Sequence, residues 1–154
     1  MSKAEGNVHV SIAATASLEL VEAFNRLLPQ LSKSAPALTH TTLEEVITAP
    51  GNVVLVARDG GPGGRVLGAL TLVFFRIPTA LRAWIEDVVV DEAARGCGVG
   101  EALTMEAVRI ATERGAKTCD LTSRTNRKAA HRLYEKCGFH VRETSVYRHG
   151  PKPL

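Results

Sequence analysis

Three glycines stand at 96, 98 and 100, in the run Arg95-Gly96-Cys97-Gly98-Val99-Gly100, after a string of valines and before a helix-forming stretch. Glycine has no Cβ, so backbone N–H groups here can approach a ligand closely. If a helix starts at this point, its first amides lack intrahelical partners and face outward. The helix dipole adds partial positive charge and Arg95 adds a charged donor, a combination that suits a pyrophosphate. The competing reading is a turn and nothing more. Two nucleotide-binding patterns are excluded. A dinucleotide fold needs Gly-x-Gly-x-x-Gly, whereas the spacing here is Gly96-x-Gly98-x-Gly100. A P-loop ends in Gly-Lys-Ser/Thr, whereas Gly100 is followed by Glu101 and Ala102.

Glu86 and Asp87 interrupt the apolar run Ala83–Val90. Charges inside such a strand are unfavourable unless they are used or paired. A primary amine is mostly protonated near neutral pH, since lysine-type amines have a pKa of about 10.4, so amine chemistry wants a base. Strand alternation puts Glu86, Val88 and Val90 on one face and Asp87 and Val89 on the other, unless a bulge reverses the parity. Tyr134 offers a phenolic proton, although its spacing is also that of a core tyrosine against Leu133 and Ala130. Cys97 has a helix N-terminus and Arg95 to favour its thiolate. The histidines at 9, 40, 131, 140 and 149 show no metal spacing. His131 falls three residues before Tyr134 and reads as a surface or supporting residue.

The elements that must position these groups follow from periodicity. Val8–Ala13 alternates weakly as a first strand. Ser17 caps a helix with Leu20, Phe24, Leu27, Leu28 and Leu31 on one stripe, which Pro29 should end or kink. Thr42-x-x-Glu45 reads as a capping box for a helix over 42–48, buried on Leu43, Val46 and Ile47 and stopped by Pro50-Gly51. Residues 52–59 and 65–76 form an antiparallel hairpin across Gly60–Gly64. A loop over 77–82 leads to a central strand, 83–90. A helix over 101–114 stops at Gly115, and a strand over 117–123 should run parallel to 83–90, because a helix separates them. A helix over 127–137, closed by Gly138, precedes one or two short strands in 139–149.

The bulk numbers fit one mixed α/β domain spanning 1–154. Apolar residues at 45% and charged residues at 23% are ordinary for a globular chain. A net charge of +3 and 5% aromatics argue against a nucleic-acid partner. The longest apolar run, Val66–Phe75, is about half a membrane span. The N-terminus lacks a signal-peptide core, so a cytoplasmic protein is expected. The 3 cysteines, 97, 119 and 137, match no zinc or disulfide pattern and read as reduced thiols.

Arg95-x-x-Gly98-x-Gly100 resembles the Gln/Arg-x-x-Gly-x-Gly/Ala signature of the GNAT superfamily of acyl-CoA-dependent N-acetyltransferases. Downstream, "AAHRLYEKCGF" at 129–139 resembles the Ala-x-x-Leu-Tyr-Glu-Lys-x-Gly-Phe segment of the same superfamily. The resemblance implies a mostly antiparallel mixed sheet of six to seven strands flanked by about four helices, with a splayed parallel strand pair forming the acyl-CoA cleft. It implies acetyl-CoA as acetyl donor, no metal, and direct attack by an amine in a ternary complex. The pyrophosphate would rest on the amides of Gly96, Cys97, Gly98, Val99, Gly100 and Glu101, beside Arg95. The pantetheine arm would pair with the backbone of Val88, Val89 and Val90. Tyr134 becomes the general acid for the departing thiolate, and Glu86 or Asp87 the base or amine anchor. The family often has an Asn seven residues before the tyrosine. Here Arg127 holds that position and Asn126 sits one earlier, either touching cofactor or capping the helix. Covalent catalysis by Cys97 does not fit, because that residue lies at the pyrophosphate end.

The acceptor is a primary amine of a small molecule or peptide. Phe74, Phe75, Arg76 and Trp84, with the loop near His40, should rim the cleft, and Arg76 and Arg82 would favour an anionic acceptor. "WIEDVVV" also resembles the corresponding strand of glucosamine-phosphate acetyltransferases in the superfamily. The alternative to an enzyme is a non-catalytic acyl-CoA-binding or regulatory module. Such domains often dimerise through sheet edges, which makes a homodimer the expected assembly to test.

Overall fold

Four runs rich in valine, leucine and isoleucine and a short fifth strand, Thr118–Asp120, pair into one sheet, in the order in which the chain makes them. The structure, a computed structural model, describes residues 7–151. Its elements are β1 (Val8–Ile12), α1 (Leu18–Leu31), α2 (His40–Thr48), β2 (Asn52–Asp59), β3 (Val66–Ile77), β4 (Ala80–Val90), a 3-10 turn (Glu92–Ala94), α3 (Val99–Glu113), β5 (Thr118–Asp120) and α4 (Lys128–Lys136). The pairings β1–β2, β2–β3 and β3–β4 are antiparallel, and β4–β5 is parallel, as the intervening helix requires.

Both faces of the sheet are covered, so its inner strands are apolar on both sides. Along β2, Val53, Leu55 and Ala57 join a cluster with Leu103, Ala107 and Ile110 of α3. Their alternates Val54 and Val56 join Leu20, Phe24 and Leu27 of α1 and Leu43 and Ile47 of α2. Ser17 caps α1 by accepting from the Leu20 N–H at 3.1 Å.

Several sequence expectations need correction. Pro29 does not end α1, which runs on to Leu31. It removes one hydrogen bond near the helix end, while the Ser32 N–H still donates to the Leu28 carbonyl at 2.9 Å and closes the last turn. The capping box of α2 is Thr39 with Thr42, not Thr42 with Glu45, so the helix starts earlier than expected. The loop between β3 and β4 shrinks to Pro78-Thr79, because both strands extend into it. The strand expected over 117–123 keeps only Thr118–Asp120.

The largest difference is at 139–149, where no strand forms, so among the described residues the sheet has five strands and not six to seven. Gly138, with φ of 92°, turns the chain out of α4, and the Phe139 N–H donates to the Tyr134 carbonyl at 2.9 Å. Beyond that, Val141, Val146 and Tyr147 are exposed. Strand-forming residue types make no strand without a partner strand and a face to bury. Among the described residues, no helix is long and apolar enough to cross a membrane.

Candidate active site

The sheet opens where its two parallel strands part. The last pair between β4 and β5 is Trp84 with Asp120, yet β4 continues to Val90. From Ile85 onward the β4 edge faces a cleft of about 1350 Å³ instead of a neighbouring strand. The far wall is the chain after β5, Leu121–Arg124, and the first half of α4.

A bulge shapes the β4 wall. Thr71 of β3 pairs with Glu86 and Ala69 pairs with Val89, so Leu70 alone faces both Asp87 and Val88. Asp87 adopts φ of 49°, the left-handed region, and is the only non-glycine described to do so. The extra residue reverses the alternation. Val88 and Val90 pack with Ile85 against the α3 cluster, while Val89 joins the α1–α2 cluster. Glu86, paired opposite Thr71 in regular alternation with Ile85, therefore does not share a face with Val88 and Val90 as simple alternation predicts. Glu86 and Asp87 are both exposed and both line the cleft.

The three glycines do two different jobs. Gly96 and Gly98 have φ of 79° and 81°, and a Cβ on either would meet nothing within 4 Å. They are needed for backbone conformation, and the space before them is open. Gly100 is needed for close approach, because a Cβ there would come within 3.0 Å of Leu133 Cδ2 on α4. Gly98 is the N-cap of α3 and has no side chain to satisfy the first amides of that helix. Val99, 1% exposed, anchors the start of α3 in the core. Glu101 brings a negative charge to this first turn, but Lys136 Nζ lies 2.9 Å from its carboxylate and offsets it. Arg95, Arg124, Arg127, Lys128 and Arg148 add positive charge around the cleft.

On α4, Tyr134 is 9% exposed and lines the cleft. Its ring meets Phe139 edge-to-face, with centroids 6.0 Å apart. Burial raises its phenol above the ordinary value of 10, against the lowering effect of Arg127. His131 Nε2 is 2.8 Å from the Arg124 carbonyl and ties α4 to the loop before it. The N-cap of α4 is Arg127, and its side chain makes no capping hydrogen bond. Asn126, one residue earlier, lines the cleft.

Of the residues expected to touch cofactor, Val88, Val89, Val90, Arg95, Gly96, Gly98, Val99, Gly100, Glu101, Asn126 and Tyr134 all line this cleft. Cys97 is exposed but is not among the lining residues. The expected acceptor contacts Phe74, Phe75, Arg76 and Trp84 do not line it either. The first three lie on β3 near its hairpin with β4, where Phe75 pairs with Arg82, and β4 runs about 20 Å from there to Val88 at about 3.3 Å per residue. Phe74 is occupied by Arg114, whose guanidinium sits 5.0 Å over the ring. His40, the first residue of α2, has its Nε2 3.0 Å from the Ala16 carbonyl and so faces the β1–α1 connection. Sequence reasoning missed Gln30 and Leu31 of α1, and Arg148, which also line the cleft. The cluster Arg124, Arg127 and Lys128 carried a signal in its charge. Gln30 carried none, because only the fold brings the end of α1 to this place.

The family description that matches residues 19–139 is "Acetyltransferase (GNAT) family". The chain belongs to the GNAT acetyltransferase family. It is 36% identical over 135 residues to glucosamine 6-phosphate N-acetyltransferase 1 of Oryza sativa subsp. japonica, covering 79% of this chain and 75% of that protein. It is 37% identical over 89 residues to the glucosamine 6-phosphate N-acetyltransferase of Trypanosoma brucei brucei, covering 55% of this chain and 58% of that one. Among solved structures, a Trypanosoma brucei acetyltransferase superposes with a TM-score of 0.75 at 27% identity, covering 93% of this chain and 99% of the other. This GNAT chain thus takes its place among the N-acetyltransferases.

Proposed function

We propose that this GNAT acetyltransferase moves the acetyl group of acetyl-CoA to the primary amine of a small molecule, by direct attack within a ternary complex. An amino sugar phosphate, the acceptor named for two of its relatives, is the first acceptor to test. The observation that carries the reading is the parting of β4 and β5 directly beside the glycine loop. It leaves one unpaired strand edge at Val88–Val90 and one set of unpaired helix-start amides at Gly98–Glu101, in a single cleft. The family supplies the donor, acetyl-CoA.

Each part then has a task. The loop amides and Arg95 hold the pyrophosphate. The backbone of Val88–Val90 holds the pantetheine arm as an added strand. A free N–H at Val88 or Val89 polarises the thioester carbonyl, which gains negative charge on attack. Glu86 takes a proton from the amine, and Asp87 holds the ammonium before it is deprotonated. The C–N bond forms as the C–S bond breaks, and Tyr134 delivers a proton to the departing sulfur. The whole reaction sits in one domain, 1–154. A cytoplasmic setting is the reading we keep, and the three cysteines, all unpaired, agree with it. The assembly we propose is a homodimer, supported by the exposed apolar residues after α4.

The test is a panel of amines, including glucosamine 6-phosphate, with detection of free thiol and of acetylated product by mass. Amine-dependent thiol release is expected, greatest for a phosphorylated amino sugar. Tight CoA binding with no turnover on any amine would overturn the acceptor class.

A further inference from the structure

From within, the glycine loop is held only by long backbone bonds, from the Arg95 N–H to the Glu92 carbonyl at 3.4 Å and from the Cys97 N–H to the Ala94 carbonyl at 3.3 Å. Gly96 and Gly98 have no side chains, and Arg95 and Cys97 are exposed. Something outside the loop must aim it. Directly before it stands Asp91, a carboxylate only 4% exposed at the end of β4. Its Oδ1 accepts from the Ala93 N–H at 3.1 Å and so caps the 3-10 turn that leads into the loop. Its backbone N–H donates to the Leu67 carbonyl at 2.8 Å, and its own carbonyl accepts from the Ala94 N–H at 2.8 Å. Its Oδ2 accepts from Arg26 Nε of α1 at 3.3 Å, and Arg65 Nη2 lies at 3.6 Å.

Helix α1 grips the same turn a second time. Gln30, one helical turn after Arg26, accepts the Glu92 N–H on its side-chain oxygen at 2.8 Å. The Gln30 amide nitrogen donates back to the Arg26 carbonyl at 3.3 Å. Arg26 also donates from Nη2 to the Val66 carbonyl at 2.6 Å, which fixes it to β3. One side of α1 therefore holds two consecutive residues, Asp91 and Glu92, at the head of the loop.

We propose that Asp91 and Arg26 are positioning residues for acyl-CoA, a brace between α1 and the glycine loop that sets where the pyrophosphate-binding amides point. The brace also manages charge. An isolated carboxylate beside an anion site would repel the ligand, and the two arginines offset it. The Ala93 N–H and the arginines hold this carboxyl below the usual carboxylate range, so it remains ionised and the brace stays closed at neutral pH. Helix α1 also lines the cleft through Gln30 and Leu31, so the brace links one wall of the site to the loop at its end.

The inference rests on acyl-CoA occupying this loop, and the experiment separates the two. CoA binding is measured by calorimetry on the full chain, with KM for acetyl-CoA, kcat and melting temperature for wild type, Asp91→Asn and Arg26→Met. Asn keeps an oxygen for the Ala93 N–H but removes the charge. Arg26 has a side chain 36% exposed, so its replacement does not open the core and tests the brace even if Asp91→Asn does not fold. Misplacement of a binding group by about 1 Å can cost about a hundredfold. A rise of about tenfold or more in Kd and KM, with kcat within a factor of about three, is expected for each. A merely structural role would lower the melting temperature and leave Kd unchanged in the folded protein. Folded variants with wild-type Kd overturn the brace. A wild-type chain that does not bind CoA overturns the functional reading itself.

Discussion

Tyr134 can act as an acid only while it keeps its proton, and its burial works in that direction. A phenol whose pKa lies above 10 is fully protonated at neutral pH, and its loss of a proton lowers the rate only above that value. Tyr134→Phe keeps the ring against Phe139 and removes the proton. A fall in kcat of about 10²–10⁴, with CoA affinity and melting temperature nearly unchanged, is expected. Equal kcat would make the residue a packing element. The base is separable by a similar argument. Asp87 sits in the left-handed region, which Asn also tolerates, so Asp87→Asn removes charge without straining the bulge. Glu86→Gln should lower kcat by about 10² or more. Asp87→Asn should chiefly raise KM for the amine. A reversal of these two outcomes would assign the base to Asp87.

At the scale of elements, the glycine loop answers two substitutions differently. Gly98→Val forces a β-branched residue to φ of 81°, roughly 1–2 kcal/mol of strain, so it lowers stability as well as raising KM for acetyl-CoA. Gly100→Ala pushes against Leu133, and so against the helix that carries Tyr134. Its larger effect should fall on kcat, and steady-state kinetics on both variants checks the contrast. The loop and Tyr134 were legible in the sequence because each belongs to a continuous run of residues with its own spacing. The length of β5 was not, because a strand ends where its partner leaves, and "KTCDLTS" does not state where β4 turns away. A bulge that reverses the parity was open from the sequence, but its place at Asp87 was not legible, since it exists only as a mismatch between β4 and β3. Gln30 and Arg26 read as the solvent side of an amphipathic helix. Only the packing of α1 across the sheet turns them into contacts of the loop.

The whole molecule carries an imbalance at one edge. β5 is paired with β4 on one side, and only over three residues. After α4, Val141, Val146 and Tyr147 are 84%, 71% and 92% exposed, in a stretch that adopts no strand. Isolated exposed apolar side chains are ordinary, but three within seven residues, in a chain whose sheet ends on the edge strand β5, are not. The open edge and the strand-forming segment lie on the same chain, so two copies related by a two-fold axis can each complete the other. Each buried Val side chain would contribute about 1.5–3 kcal/mol, and the exchange doubles the count. Sedimentation velocity over a micromolar concentration range should therefore give a dimer. Val146→Glu with Tyr147→Glu should shift it to monomer without changing the melting behaviour of α3 and the sheet, because neither side chain packs on the core. A wild-type chain that stays monomeric at every concentration would mean that the segment after α4 is a solvated tail. In that case Arg148, which lines the cleft from the same segment, would act within its own chain alone.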